Sequence, residues 1–339
     1  MPWDTAQKAL QAEDIPRSRG WDLTIAKLSK FDWNDEYLDV LRRIYLDSVF
    51  CGEKSVSFYH LSDSEISELR TLADEAQPTE SILADCFPLP LNDKILGTQI
   101  PQKQKLISVE RTDEAIALVY SGIFSIEVRH HYTEEDIPTE LEEFFSDCKE
   151  VIGVKEVKMQ SFDILWIPHH SNVVSLRVDS PRGVQKDTIL RMQANLQDII
   201  EKSFDNIIKD KQINLFPLID AIYSDKTKGN VVELAFSTKT ASLKHERMRR
   251  TGTCLRKEIY HKAGLAALNG KIDPYRISVE WPRVIGPDLE SVSELSLIGR
   301  SRMTLDETPF LGHAILRRCT DVSDFENVVS TVLKMLQDI

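Results

Sequence analysis

Glycine is scarce, with 13 in 339 residues, about half of the roughly 7% share usual in proteins. Folds that depend on several glycine loops, such as dinucleotide binders and P-loop enzymes, are disfavoured because those loops need backbone conformations that only glycine adopts cheaply. Cysteine is scarcer still, with five. Cys51, Cys86, Cys148, Cys254 and Cys319 are odd in number and never spaced C-x-x-C, so neither a disulfide framework nor a zinc knuckle is written here. No apolar run approaches the ~18 residues of a membrane helix, and membrane insertion is not expected. The first twenty residues mix both charges before any apolar stretch forms, unlike a signal or transit peptide. A reducing, cytoplasmic setting is the expectation. G-x-S-x-G and H-E-x-x-H are also missing, which removes the common hydrolase and zinc-protease signatures.

What is present is an ordinary globular composition, 42% hydrophobic and 28% charged, long enough for two domains that each bury a core. The net charge of −12 is unevenly spread. Residues 1–180 carry 33 acids and 18 bases, a balance of −15, whereas residues 181–339 carry 21 acids and 24 bases, a balance of +3. Such asymmetry points to a polyanion meeting one half only.

The periodicity divides at the same place. Asn34 caps a helix with Leu38, Leu41, Ile44, Tyr45 and Val49 on one face and Gly52 past its end. Ser62 and Glu65 form a capping box for a second helix. Four prolines between Gln77 and Pro101 mark a connection. Short β-branched runs follow at 105–110, 115–120, 123–131, 154–168 and 173–178, interrupted by an acidic segment, Thr133–Glu150, with eight acids and one lysine. Ser180-Pro181 opens a long amphipathic helix through Ile207. Strands at 231–236, 276–281, 295–304 and 312–318 and a last helix opened by Ser323 and Glu326 complete the chain. The fold class expected is α+β: a domain over 1–180 (helical 1–76, antiparallel strands 105–179) and a smaller α+β domain over 181–339 containing a linker helix and a basic unit.

The densest positive charge lies in Leu243–Lys262, with seven lysines or arginines against two glutamates. Read as helix at about 100° per residue, Arg247, Arg250, Lys257 and His261 share a quarter of the circumference. Lys244, Arg249, Arg256 and Lys262 flank them. A cationic stripe of this kind suits a phosphate backbone, because each neutralised phosphate releases a counterion. The alternative is ion pairing with the acidic Thr133–Glu150 segment, within the chain or across a homo-oligomer. Aromatic residues beside the stripe are few, Tyr260 and Tyr275, so base stacking is not indicated.

Three smaller constellations bear on catalysis. Arg256 and His261 form R-x-x-x-x-H, which resembles the RNase motif of HEPN proteins; that resemblance implies an all-helical dimer whose arginine and histidine meet a scissile phosphate. Glu156-Val157-Lys158, with Glu150 or Asp147 upstream, has the spacing of a PD-(D/E)xK metal-dependent nuclease. The doublets His130-His131 and His169-His170, with Glu134, Glu135 or Asp136, would suit a divalent ion if their strand ends were neighbours.

The leading expectation is a DNA- or RNA-binding subunit of a cytoplasmic assembly that acts through Lys244, Arg247, Arg249, Arg250, Arg256, Lys257, His261 and Lys262 and needs no cofactor. The absence of housekeeping motifs points to a conflict role such as antiviral defence. The alternatives are a metal-dependent or HEPN-like nuclease and a protein-interaction scaffold.

Overall fold

The computed structural model describes every residue except Glu134, Glu135 and Thr251, and the side chain of Glu142. The chain opens with α1 (Trp3–Ala12), α2 (Trp21–Leu28) and α3 (Asp35–Cys51), then β1 (Lys54–His60), α4 (Asp63–Glu75), α5 (Ile82–Cys86) and α6 (Asp93–Thr98). Next come β2 (Gln102–Arg111), β3 (Ala115–Tyr132), α7 (Thr139–Phe145), β4 (Val151–Pro168) and β5 (Val173–Asp179). The remainder is α8 (Lys186–Ser203), α9 (Pro217–Ser224), β6 (Asn230–Thr238), β7 (Leu243–Arg247), α10 (Ile259–Ala267), β8 (Ile272–Gly286), β9 (Leu289–Ile298), β10 (Ala314–Arg317) and α11 (Val322–Gln337). The protein is α+β, with helices preceding and flanking a large antiparallel sheet.

Caps form where side-chain oxygens can reach free backbone donors. Asn34 accepts from the Tyr37 amide, and Ser62 and Glu65 close a reciprocal capping box on α4. Two predicted starts move. The long helix begins at Lys186, after a turn, and α11 is capped by Asp321, which accepts from the Asp324 amide, rather than by Ser323.

The ten strands among the described residues form one sheet in the order β2-β3-β4-β5-β1-β10-β9-β8-β6-β7. The boundary at residue 180 does not divide it, because β1 lies between β5 and β10 with register Lys54↔Asp179 and Lys54↔Leu316. Within the segment expected to be helical, Lys54–His60 alternates small polar with apolar residues and is the central strand that joins the halves.

Three apolar clusters stabilise this sheet. One packs α9 and α11 against Val56, Phe58, Leu234, Ile277, Val279, Leu295, Leu297 and Leu316. A second packs α4 and α8 on the opposite face, over Tyr59, Leu118, Leu165, Val174 and Leu176. The third sets the end of α3 and α5 against Ala117, Val119, Ile164 and Trp166. Arg177, fully buried, lies 4.0 Å from the Trp166 ring and 4.5 Å from the Phe325 ring and binds Glu326, tying α11 to β5. Where β4 and β5 stop pairing, carboxylates replace the ladder. Asp179 accepts from the Phe162 amide and from Lys54 Nζ, and Asp163 accepts from the Asp179 amide. Burial, then the nearby Asp179 charge, raise the Asp163 carboxyl above its ordinary range.

Candidate functional site

The basic segment Leu243–Lys262 is not one helix. Its first five residues alternate along β7, which pairs with β6 in the register Glu233↔Arg247 to Ser237↔Leu243 and forms the outer edge of the sheet. Beyond it Arg249, Arg250, Gly252 and Thr253 are exposed, and a 3₁₀ turn at Leu255–Lys257 leads into α10. The stripe read around one helical circumference is therefore replaced by an edge strand, a loop and a short helix. Strand alternation sends Lys244 and Glu246 toward α10 and His245 and Arg247 toward the opposite face. Lys244, Arg247, Arg249, Arg250, Lys257 and Lys262 are exposed.

Arg256 and His261 are engaged inside the protein. The Arg256 guanidinium donates to the Ile222 carbonyl at 2.9 Å and to the Asp225 and Gly229 carbonyls. It thus binds carbonyls at and beyond the end of α9, where the helix dipole favours a cation. His261 is 3% exposed. Its Nδ1 lies 2.7 Å from a Glu246 carboxylate oxygen, which can only accept, so the proton is assigned to Nδ1; Nε2 lies 2.9 Å from the Tyr223 hydroxyl. Burial, then the Glu246 charge, push the Tyr223 hydroxyl up to about 12. The arginine and histidine of the HEPN-like spacing are thus each occupied by separate internal partners.

The face opposite α9 and α11 adds Arg276, whose place in the sequence already suggested a wider positive surface, and polar residues that the sequence does not single out. Alternation along β6, β8 and β9 places Glu233, Arg276, Ser278, Glu280, Glu294 and Ser296 there. Glu233, only 7% exposed at its side chain, holds Arg276 at 2.6 Å, His245 at 2.9 Å and, loosely, Arg247 at 3.9 Å. Lys186, at the start of α8, is pushed below its ordinary range by partial burial and then by Arg300 and Arg276. His313 is pushed down to about 4 by burial and then by Lys186. Lys186 therefore meets positive charge on this face from Arg300 and Arg276. Arg317 and Arg318, by contrast, are drawn to acids, Arg317 to Glu53 at 3.8 Å and Arg318 to Glu280 at 2.6 Å. The sequence signal for this surface was the polar alternation along 276–280 and 294–296, visible only once those runs are known to be strands of one sheet.

The other constellations do not assemble. His130-His131 and His169-His170 lie at opposite ends of the β3–β4 ribbon, whose register runs from Ala115↔Pro168 to Tyr132↔Val151, a separation of roughly 50 Å at about 3.3 Å per residue. Glu134 and Glu135 lie outside the described residues. Asp136 accepts from the Thr133 amide and hydroxyl, and Glu150 meets His131 at 2.7 Å. Glu156 sits opposite Glu127 on the exposed ribbon, and Lys158 donates to the Gly97 carbonyl at 2.6 Å. Among the described residues, no three metal-ligating side chains converge. The acidic segment and β7 belong to distant parts of the sheet, and no ion pair joins them among the described residues. No family model, curated protein or solved structure matches this chain.

Proposed function

We propose that the chain binds the backbone of DNA or RNA through β7, the turn after it and the adjoining polar face. The observation that supports this reading is the availability of charge. Lys244, Arg247, Arg249, Arg250, Lys257 and Lys262 are exposed, and the only acid within ion-pair reach of any of them among the described residues is Glu233, 3.9 Å from Arg247. Arg256 and His261 leave the set as structural residues. Lys186 and Arg300 join it, since the repulsion that Arg300 exerts on Lys186 would be relieved by a phosphate, while Arg276 stays with Glu233. Arg247, Arg249 and Arg250 suit bidentate contact with phosphate oxygens better than a lysine does. The surface offers backbone contact rather than base readout, so binding should tolerate sequence change. Cations on an exposed edge strand also keep it from pairing with other strands; that role alone would leave nucleic acid unbound.

The test is fluorescence anisotropy with single- and double-stranded DNA and RNA over a salt series. Replacing Arg247 and Arg250 together by alanine is expected to weaken binding uniformly across sequences. It should also make the log-log salt slope shallower by about 2, near 0.9 per lost phosphate contact. An unchanged affinity and slope would remove the proposal.

A further inference from the structure

We propose that the groove framed by α1, α2 and α3 is a binding site for a free single-chain amphiphile with an anionic head, a long-chain carboxylate. The groove encloses about 670 Å³, within the range of small-molecule pockets of roughly 300–1,000 Å³. Its walls are almost entirely apolar: Leu10 from α1, Trp21 and Leu28 from α2, Leu38 and Leu41 from α3, closed at one side by the Phe87–Leu89 turn. Trp21, Leu38 and Leu89 remain exposed there and adjoin one another along the groove.

Arg42, the one cationic side chain on that wall among the described residues, points to the head group. Leu38, Leu41, Arg42 and Tyr45 follow i, i+3, i+4, i+7 and so occupy a single stripe of α3. Arg42 stands in this stripe, lines the groove and has no carboxylate within ion-pair reach among the described residues. The next residue, Arg43, leaves the stripe and pairs with Glu13 at 2.6 Å. An exposed guanidinium beside an apolar wall complements a carboxylate with opposite charge, gives an alcohol only the weaker hydrogen bond to a neutral acceptor and repels an ammonium ion. The acyl chain would lie along Leu38, Leu41 and Trp21. This inference is independent of the polyanion surface, which lies on other elements.

The test titrates the full-length protein with dodecanoate, tetradecanoate, dodecanol and dodecylamine below their aggregation concentrations. Heat gives the stoichiometry and tryptophan emission reports on Trp21, whose ring centre lies 5.3 Å from that of Trp3. The expected result is one carboxylate per chain, tightening about fourfold for each added methylene that the groove can cover. Arg42→Glu should weaken the carboxylate at least tenfold and affect dodecanol far less. Trp21→Phe should remove the optical signal while the heat persists. Equal binding of amine and carboxylate, no dependence on chain length, or several molecules per chain would overturn the proposal. So would sedimentation with phosphatidylglycerol vesicles in preference to monomeric carboxylate, which would make the groove a bilayer-facing surface. Arg42→Glu with circular dichroism like the parent chain keeps the result interpretable, and Leu41→Glu provides a second block from inside the groove.

Discussion

His313 and Asp47 titrate in overlapping windows with opposite consequences for stability. Burial, then Lys186, hold the folded-state pKa of His313 at about 4. As the pH falls from about 6.5 toward that value, the unfolded chain takes up a proton that the folded chain refuses, and stability is lost. Asp47 behaves the other way, because burial, then Asp321, raise its carboxyl to about 6. Below its ordinary value near 3.8 the carboxyl is protonated folded or unfolded, and as pH rises through 6 the folded protein must ionise a disfavoured site. His313→Gln should therefore flatten the acid side of the melting-temperature profile. Asp47→Asn should raise the melting temperature above about pH 7 and leave it nearly unchanged near pH 3.5; thermal melts across pH check both. Neither role was legible in the sequence. A lone histidine or aspartate carries no sign of its burial, and Arg256 satisfies carbonyls from residues 222, 225 and 229, contacts that only the tertiary fold creates.

Elements with strong local signals were read correctly. The α3 cap, the α4 capping box and the strands around 105–110, 154–168 and 173–178 correspond to observed elements because each is specified by its own residues, whereas the separate runs 115–120 and 123–131 are one strand, β3, because Ser121 and Gly122 stay in the ladder with β4 instead of turning. β7 was missed for the opposite reason. Its five residues, LKHER, are mostly charged, and pairing with β6 rather than intrinsic preference makes them a strand. The exposed Gly252, with φ of 75°, further breaks any continuous helix there. This division into binding and scaffolding residues can be tested. Arg256→Ala strands carbonyls at and beyond the end of α9 and should lower the melting temperature by several degrees, in line with the loss of charged hydrogen bonds, each worth roughly 1.5–3 kcal/mol. Arg249→Ala with Arg250→Ala should leave the melt unchanged and reduce nucleic-acid affinity. If Arg256→Ala melted like the parent, its assignment as a structural residue would fail. On α4, Ser62→Ala should cost about 1 kcal/mol in chemical denaturation.

For the whole molecule, composition and period were enough to give an antiparallel α+β class, whereas strand order was not encoded locally. Nothing in Lys54–His60 announces that it will pair with strands more than a hundred residues away. The resulting sheet ties the halves together: β1 needs β10, and Met192, Leu196 and Ile200 of α8 cover apolar residues of the first half. A chain ending at residue 180 loses both. It is expected to show no cooperative thermal transition, while the full chain melts in one step; a sharp transition in the 1–180 fragment would show that the first half is self-sufficient.

The β3–β4 ribbon outruns its neighbours, since β2 pairs with β3 only as far as Ile123 and β5 pairs with β4 only at Ile164–Trp166. Among the described residues, the span from Ser125 to Tyr132 and its partner Val151–Lys158 have no further strand beside them, and both are largely exposed. Covalent continuity at the ribbon's tip is thus dispensable to the body. A protease site inserted at Asp147–Cys148 should be cut in the native state, and the two pieces should stay associated through the ladder below, making this a permissive place for a label or an affinity tag.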